Sequence, residues 1–69
     1  MKHQDLVIEG MHCGHCVMSV RKELSKVDGL TVEDVQIGKA HIKVDETKVG
    51  QEIVAKAIDE AGYRLVSVQ

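Results

Sequence analysis

The sequence predicts an α+β domain, a four-stranded antiparallel sheet with two helices on one face, and three observations predict it. Short apolar-rich runs at 4–9, 31–37, 40–45 and 63–68 have the length and composition of strands. Two intervening stretches repeat apolar residues at helical spacing, the first through Val17, Val20, Leu24 and Val27 and the second through Val49, Ile53 or Val54, Ala57, Ile58 and Ala61. Glycines at 10, 29, 38 and 62 punctuate the boundaries between them.

The first strand, 4–9, sets Leu6 and Ile8 on one face and Val7 on the other, and Gly10 ends it. The first helix has Cys16 in or near its opening turn and runs to Lys26, with Arg21, Lys22, Glu23 and Lys26 on its outer face. Asp28-Gly29 closes it, since glycine just past a helix takes the left-handed cap and cations in the last turns complement the dipole. Those cations also offer a docking face for an acidic partner. Strands at 31–37 and 40–45 follow, joined through Gly38-Lys39, where glycine first in a two-residue loop suits a type II′ turn. That turn sets Ile37 opposite Ala40 and Val35 opposite Ile42, which places Val35, Ile37, Ala40, Ile42 and Val44 on the buried face and Gln36, His41 and Lys43 on the other. Glu33 would then face the core, and a bulge that brings Val32 inward repairs the conflict. The second helix starts between Thr47 and Gly50, ends at Ala61, and buries Val49, Ile53 or Val54, Ala57, Ile58 and Ala61 before Gly62 caps it. In the last strand, 63–68, the alternation does not say which face is buried. The order β-α-β-β-α-β is the ferredoxin-like split arrangement. Residues 1–69 make a single domain, because a chain this size hides only ~60% of its extended surface and cannot divide it between two cores.

Chemistry concentrates in Gly10-Met11-His12-Cys13-Gly14-His15-Cys16-Val17, which holds both cysteines and half of the histidines. The segment lies between a strand and a helix, and the unpaired N–H groups of a helix start favour an anion there, which enriches thiolate, the metal-binding form of cysteine. A soft ligand pair is thereby presented to solvent. Structural zinc usually takes four protein ligands and catalytic zinc three plus water, whereas monovalent copper accepts sulfur at low coordination number, so copper(I) suits the pair Cys13 and Cys16. An ion held by two thiolates on a loop is open to attack by a third sulfur and passes on by exchange, which fits a carrier better than a store. Cys-x-x-Cys alone is shared with redox, zinc and haem sites. Here the haem form is excluded by Val17 after the second cysteine, and a thioredoxin-type site by the short chain and the absence of proline. A zinc ribbon needs a second cysteine pair. Met11 reads as core filling that pins the loop, with a weak thioether ligand as the alternative. His12 reads as a solvated loop residue, while His15, between the ligands, either tunes the thiolates by its charge or adds a weak third ligand. His3 and His41 read as bystanders.

The bulk properties exclude other classes. Hydrophobic residues make up 43% of the chain but aromatics only 1%, so the core is aliphatic and Tyr63, the one aromatic, either begins the last strand or serves the loop. A net charge of −2 with no basic stripe gives no footprint for nucleic acid. No stretch has the length of a signal peptide or a membrane span, which places the chain in the cytoplasm by default, where paired thiols stay reduced.

Gly10-Met11-x-Cys13-x-x-Cys16, the helical pattern after it, Val27-Asp28-Gly29-Leu30 and Ala57-Ile58-x-x-Ala61-Gly62-Tyr63 together resemble the heavy-metal-associated domain, and within it the bacterial CopZ-type copper chaperones. The likeness spans nearly the whole chain, and His15 and Tyr63 resemble the bacterial copper branch in particular. The resemblance implies a non-enzymatic copper(I) carrier whose recipient is a copper-transporting P-type ATPase, with a copper-responsive repressor as a second recipient, and a Tyr63 that lies over the metal loop. Thiolates on two molecules sharing copper would make a copper-bridged homodimer. Rival readings are a metal-binding module of such an ATPase, against which Met1 and the ending at Gln69 argue, a mercury or zinc carrier, and a dithiol redox protein.

Overall fold

The structure, a computed structural model, describes residues 2–12 and 14–69. Its elements are β1 (Lys2–Glu9), α1 (Gly14–Ser25), β2 (Leu30–Gln36), β3 (Lys39–Val44), α2 (Gln51–Glu60) and β4 (Arg64–Val68). The strands form one antiparallel sheet in the order β2-β3-β1-β4. α1 packs on β2 and on α2, and α2 on β4, which is the ferredoxin-like arrangement the sequence predicts.

Alternation in β1 puts Leu6 and Ile8 into the core, where Val20 and Leu24 of α1, Ala40, Ile42 and Val44 of β3, and Val54, Ala57 and Ile58 of α2 meet them. No polar side chain is buried among the described residues. The choice between Ile53 and Val54 falls to Val54, which is 1% exposed against 43% for Ile53. Ala61, expected to be buried, is only partly so, and Val49 is buried just ahead of the helix.

The β2–β3 hairpin corrects the predicted register. Val35 pairs with Ala40 and Gln36 with Lys39, so Ile37-Gly38 are the central turn residues and not Gly38-Lys39. Gly38 has φ +83°, and a left-handed residue second in the turn is what a type II turn requires, whereas type II′ needs it first. The pairing therefore slips by two residues from the expected one. Because side chains alternate with period two, such a slip preserves the buried face, and Val35, Ala40, Ile42 and Val44 are buried as expected. Ile37 is the casualty: it sits in the turn and is 57% exposed. The expected bulge is present, since pairing passes from Asp34↔His41 to Val32↔Ile42 and leaves Glu33 unpaired, which turns Val32 toward the core.

A second bulge explains the ambiguity of β4. Pairing with β1 runs Val7↔Ser67 and then Ile8↔Leu65, so Val66 is the extra residue. The bulge resets the alternation, and Leu65 and Val68 both pack on the core although three positions apart, while Val66 is 54% exposed.

His3 and His41, read as bystanders, carry cross-strand contacts on the sheet. His3 Nδ1 lies 2.9 Å from Glu33 Oε1, which also has Lys43 near its carboxylate, and His41 Nδ1 contacts Asp5 Oδ1. His3 thus reaches across β3, which stands between β1 and β2, to a residue of the β2 bulge.

Candidate metal-binding site

The end of β1 and the start of α1 build the site. Gly10 breaks the strand with φ +99°, and a Cβ placed there would meet Tyr63 Cδ1 at 3.4 Å. The Tyr63 ring therefore lies against the base of the loop, while its backbone N–H donates to Ile58 O at 3.1 Å and its side chain packs on the core. Met11 follows, 6% exposed, packed inward as its sequence context indicates. Its Sδ accepts a hydrogen bond from Gly38 N–H at 3.4 Å. This contact with the hairpin was not visible in the sequence, because nothing local links positions so far apart.

His12 is exposed, and its backbone N–H donates to Cys16 Sγ at 3.5 Å. Cys13, the first of the predicted ligands, lies outside the described residues. Cys16 is the third residue of α1, as expected of a thiol in the first helical turn, but it is not presented to solvent: it is 9% exposed and belongs to the core cluster. The reason is helical periodicity. Cys16, Val20 and Leu24 are spaced by four and form the buried stripe of the helix, a spacing present in the sequence that places the thiol on the inward face. His15, one position earlier, is exposed. Neither histidine joins Cys16 in a cluster of three or more His, Cys, Asp or Glu groups able to hold a metal among the described residues.

The thiol therefore sits at a boundary. Its apolar surroundings disfavour charge, and the helix start, together with a backbone N–H aimed at sulfur, favours it.

The heavy-metal-associated domain matches residues 6–64, from the core of β1 to the first residue of β4, and so takes in the whole of this loop and its supports. The chain belongs to the heavy-metal-associated domain family. Within the family it is similar to the copper chaperone CopZ of Staphylococcus aureus, 37% identical over 68 residues that cover 96% of this chain and 100% of CopZ. Among solved structures, a copper-binding domain from the P-type ATPase HMA7 superposes with a TM-score of 0.88 at 25% identity, covering 100% of this chain and 99% of that domain. Oxidised MerP from Ralstonia metallidurans CH34 superposes with a TM-score of 0.85 at 31% identity, covering 99% and 96%. In this heavy-metal-associated domain no helix among the described residues is long and apolar enough to cross a membrane.

Proposed function

We propose that this heavy-metal-associated domain is a cytoplasmic copper(I) carrier, a single domain over residues 1–69 that holds one ion between Cys13 and Cys16 and passes it to the metal-binding domain of a copper-transporting P-type ATPase. The observation that carries the reading is the placement of Cys16: a thiol in the first turn of α1 with a backbone N–H on its sulfur, where the described residues form no group of three or more His, Cys, Asp or Glu able to hold a metal. Such a donor set is soft and sparse, which suits copper(I) and starves metals that want four ligands. The likeness to CopZ along the chain's length supports the same assignment.

In the proposed transfer, a thiolate of the partner adds to copper and one cysteine of this chain leaves, taking the proton that the incoming thiol gave up. Only metal–sulfur bonds form and break, so the chain acts as a carrier and not as an enzyme. Tyr63, against Gly10, limits water access to the loop, and exposed His15 directly precedes Cys16 in the chain. A copper-responsive repressor as second recipient and a copper-bridged pair of chains extend the same exchange chemistry.

A second reading is carriage of mercury or zinc, the rival metals that a pair of thiolates leaves open. One experiment separates them: copper(I), zinc and mercury compete for the reduced protein under anaerobic conditions, with stoichiometry read by native mass spectrometry. Copper(I) at one ion per chain, lost in Cys13→Ala and in Cys16→Ala, is expected. Tight binding retained by either variant, or a preference for mercury over copper(I) in the presence of a competing thiol, overturns the proposal.

A further inference from the structure

We infer that Gly38, at the tip of the β2–β3 hairpin, is a positioning residue for the metal loop and governs how readily that loop exchanges its ion; this rests on the carrier reading and assigns its site a new determinant. Gly38 grips the loop's entry from both sides of Gly10. Its carbonyl accepts the N–H of Ile8 at 2.9 Å, and its N–H donates to Met11 Sδ at 3.4 Å. Ile8 is the last core residue of β1, and Met11 stands two positions before Cys13. The hairpin tip thus sets where the backbone stands as it enters Cys13-Gly14-His15-Cys16.

The two bonds differ in character. The Ile8 bond is an ordinary amide pair that extends the sheet by a step beyond Val7↔Lys39. The Met11 bond ends on a thioether, a weak acceptor, so it opens at little cost while the apolar contacts of Met11 persist. Gly38 can make both because φ +83° turns its N–H and C=O toward the loop together. A Cβ there would meet nothing closer than Ile8 O at 3.7 Å, so replacement by alanine tests the backbone conformation and not a clash.

Three variants test the assignment. Met11→Leu conserves volume but removes the sulfur acceptor. Gly38→Ala strains the turn, and Gly38→Asn tolerates the left-handed conformation and serves as the conservative rescue. Amide hydrogen exchange is read by NMR on the metal-free protein, and copper(I) transfer to a small dithiol chelator is followed by stopped flow well below the unfolding midpoint. In Met11→Leu the Gly38 amide should exchange about threefold faster, less than the roughly tenfold expected for loss of an ordinary hydrogen bond. Transfer should accelerate in Met11→Leu and Gly38→Ala and return to the wild-type rate in Gly38→Asn. A purely structural role would lower the unfolding midpoint and leave the transfer rate alone, and that outcome overturns the assignment. So does an unchanged Gly38 amide in Met11→Leu, a result independent of any metal. Failure of the carrier reading is distinguishable, because it would appear as tight copper(I) binding that survives loss of Cys16.

Discussion

The two ends of the sheet tie down their loops with different chemistry. Where β3 leaves the sheet for α2, Asp45 collects oxygen-based bonds: its Oδ1 accepts the Thr47 N–H at 3.0 Å and the Thr47 hydroxyl at 2.6 Å, and its carbonyl accepts the Lys48 and Val49 N–H groups, each at 2.9 Å. At the opposite end the proposed metal loop is fastened through sulfur, by Gly38 N–H on Met11 at 3.4 Å and His12 N–H on Cys16 at 3.5 Å. Sulfur is a larger, weaker acceptor, so its bonds are longer and easier to exchange. The difference teaches where this small domain can afford to be reorganised. A loop that only connects is held by hard acceptors, while a loop proposed to bind and release an ion is held by contacts of which one ends on the proposed ligand itself.

That contrast can be broken at several places, and the largest effect should come from the proposed ligand. Cys16→Ala should abolish tight copper(I) binding in a chelator competition, and it should also lower the unfolding midpoint of the metal-free protein, because the thiol it removes is buried. Loss of binding with no change in the midpoint would show that the core cluster does not depend on the thiol. Next, Met11→Ala should destabilise the metal-free fold by roughly 2–5 kcal/mol in denaturant unfolding, as for other buried methionines. A smaller cost accompanied by weakened copper(I) binding would instead make the thioether a ligand.

Tyr63→Asp should follow, with a change in preference more than in stability. The carboxylate would stand near Gly10 and add a hard oxygen beside the thiolates, raising affinity for zinc relative to copper(I) in competition under reducing conditions. An unchanged preference would leave Tyr63 as an ordinary residue ahead of the last strand. The smallest effects belong to the far end. The Thr47 hydroxyl and then the Thr47 N–H hold the Asp45 carboxyl below its ordinary value of 3.8. A carboxyl with a lowered pKa in the folded state adds stability that is present above the ordinary value and is lost as pH falls through the lowered one. Thr47→Ala should therefore shift the Asp45 NMR titration back toward its ordinary position and soften the acid side of the stability profile, with copper(I) affinity untouched. A change of affinity in that variant would mean that the two ends are coupled.

How far the sequence could be read follows from the range of the forces involved. Element order, the aliphatic core and the inward packing of Met11 were legible because periodicity and glycine punctuation are local. The hairpin register was not. Gly38 suits either central position of a two-residue turn, depending on turn type, and the apolar pattern cannot choose because a slip of two residues keeps Val35 and Ile42 on the same face. The buried side of β4 was hidden by the bulge at Val66, a property of its pairing with β1. At the site, the prominence of two cysteines on a loop argued for exposure, while the plainer spacing of Cys16, Val20 and Leu24 pointed inward.

The two bulges share a consequence for how the molecule meets its own kind. In the order β2-β3-β1-β4 the outermost strands are β2 and β4, and each carries a bulge, at Glu33 and at Val66. An outermost strand with a regular row of unpaired amides is a template on which another chain can add a strand and begin to aggregate; a bulge bends that row and spoils its spacing. The carrier role proposed for this domain requires it to approach other proteins closely and then let go. With both margins of its sheet made irregular, such encounters are steered away from strand-to-strand pairing and toward contacts that separate again.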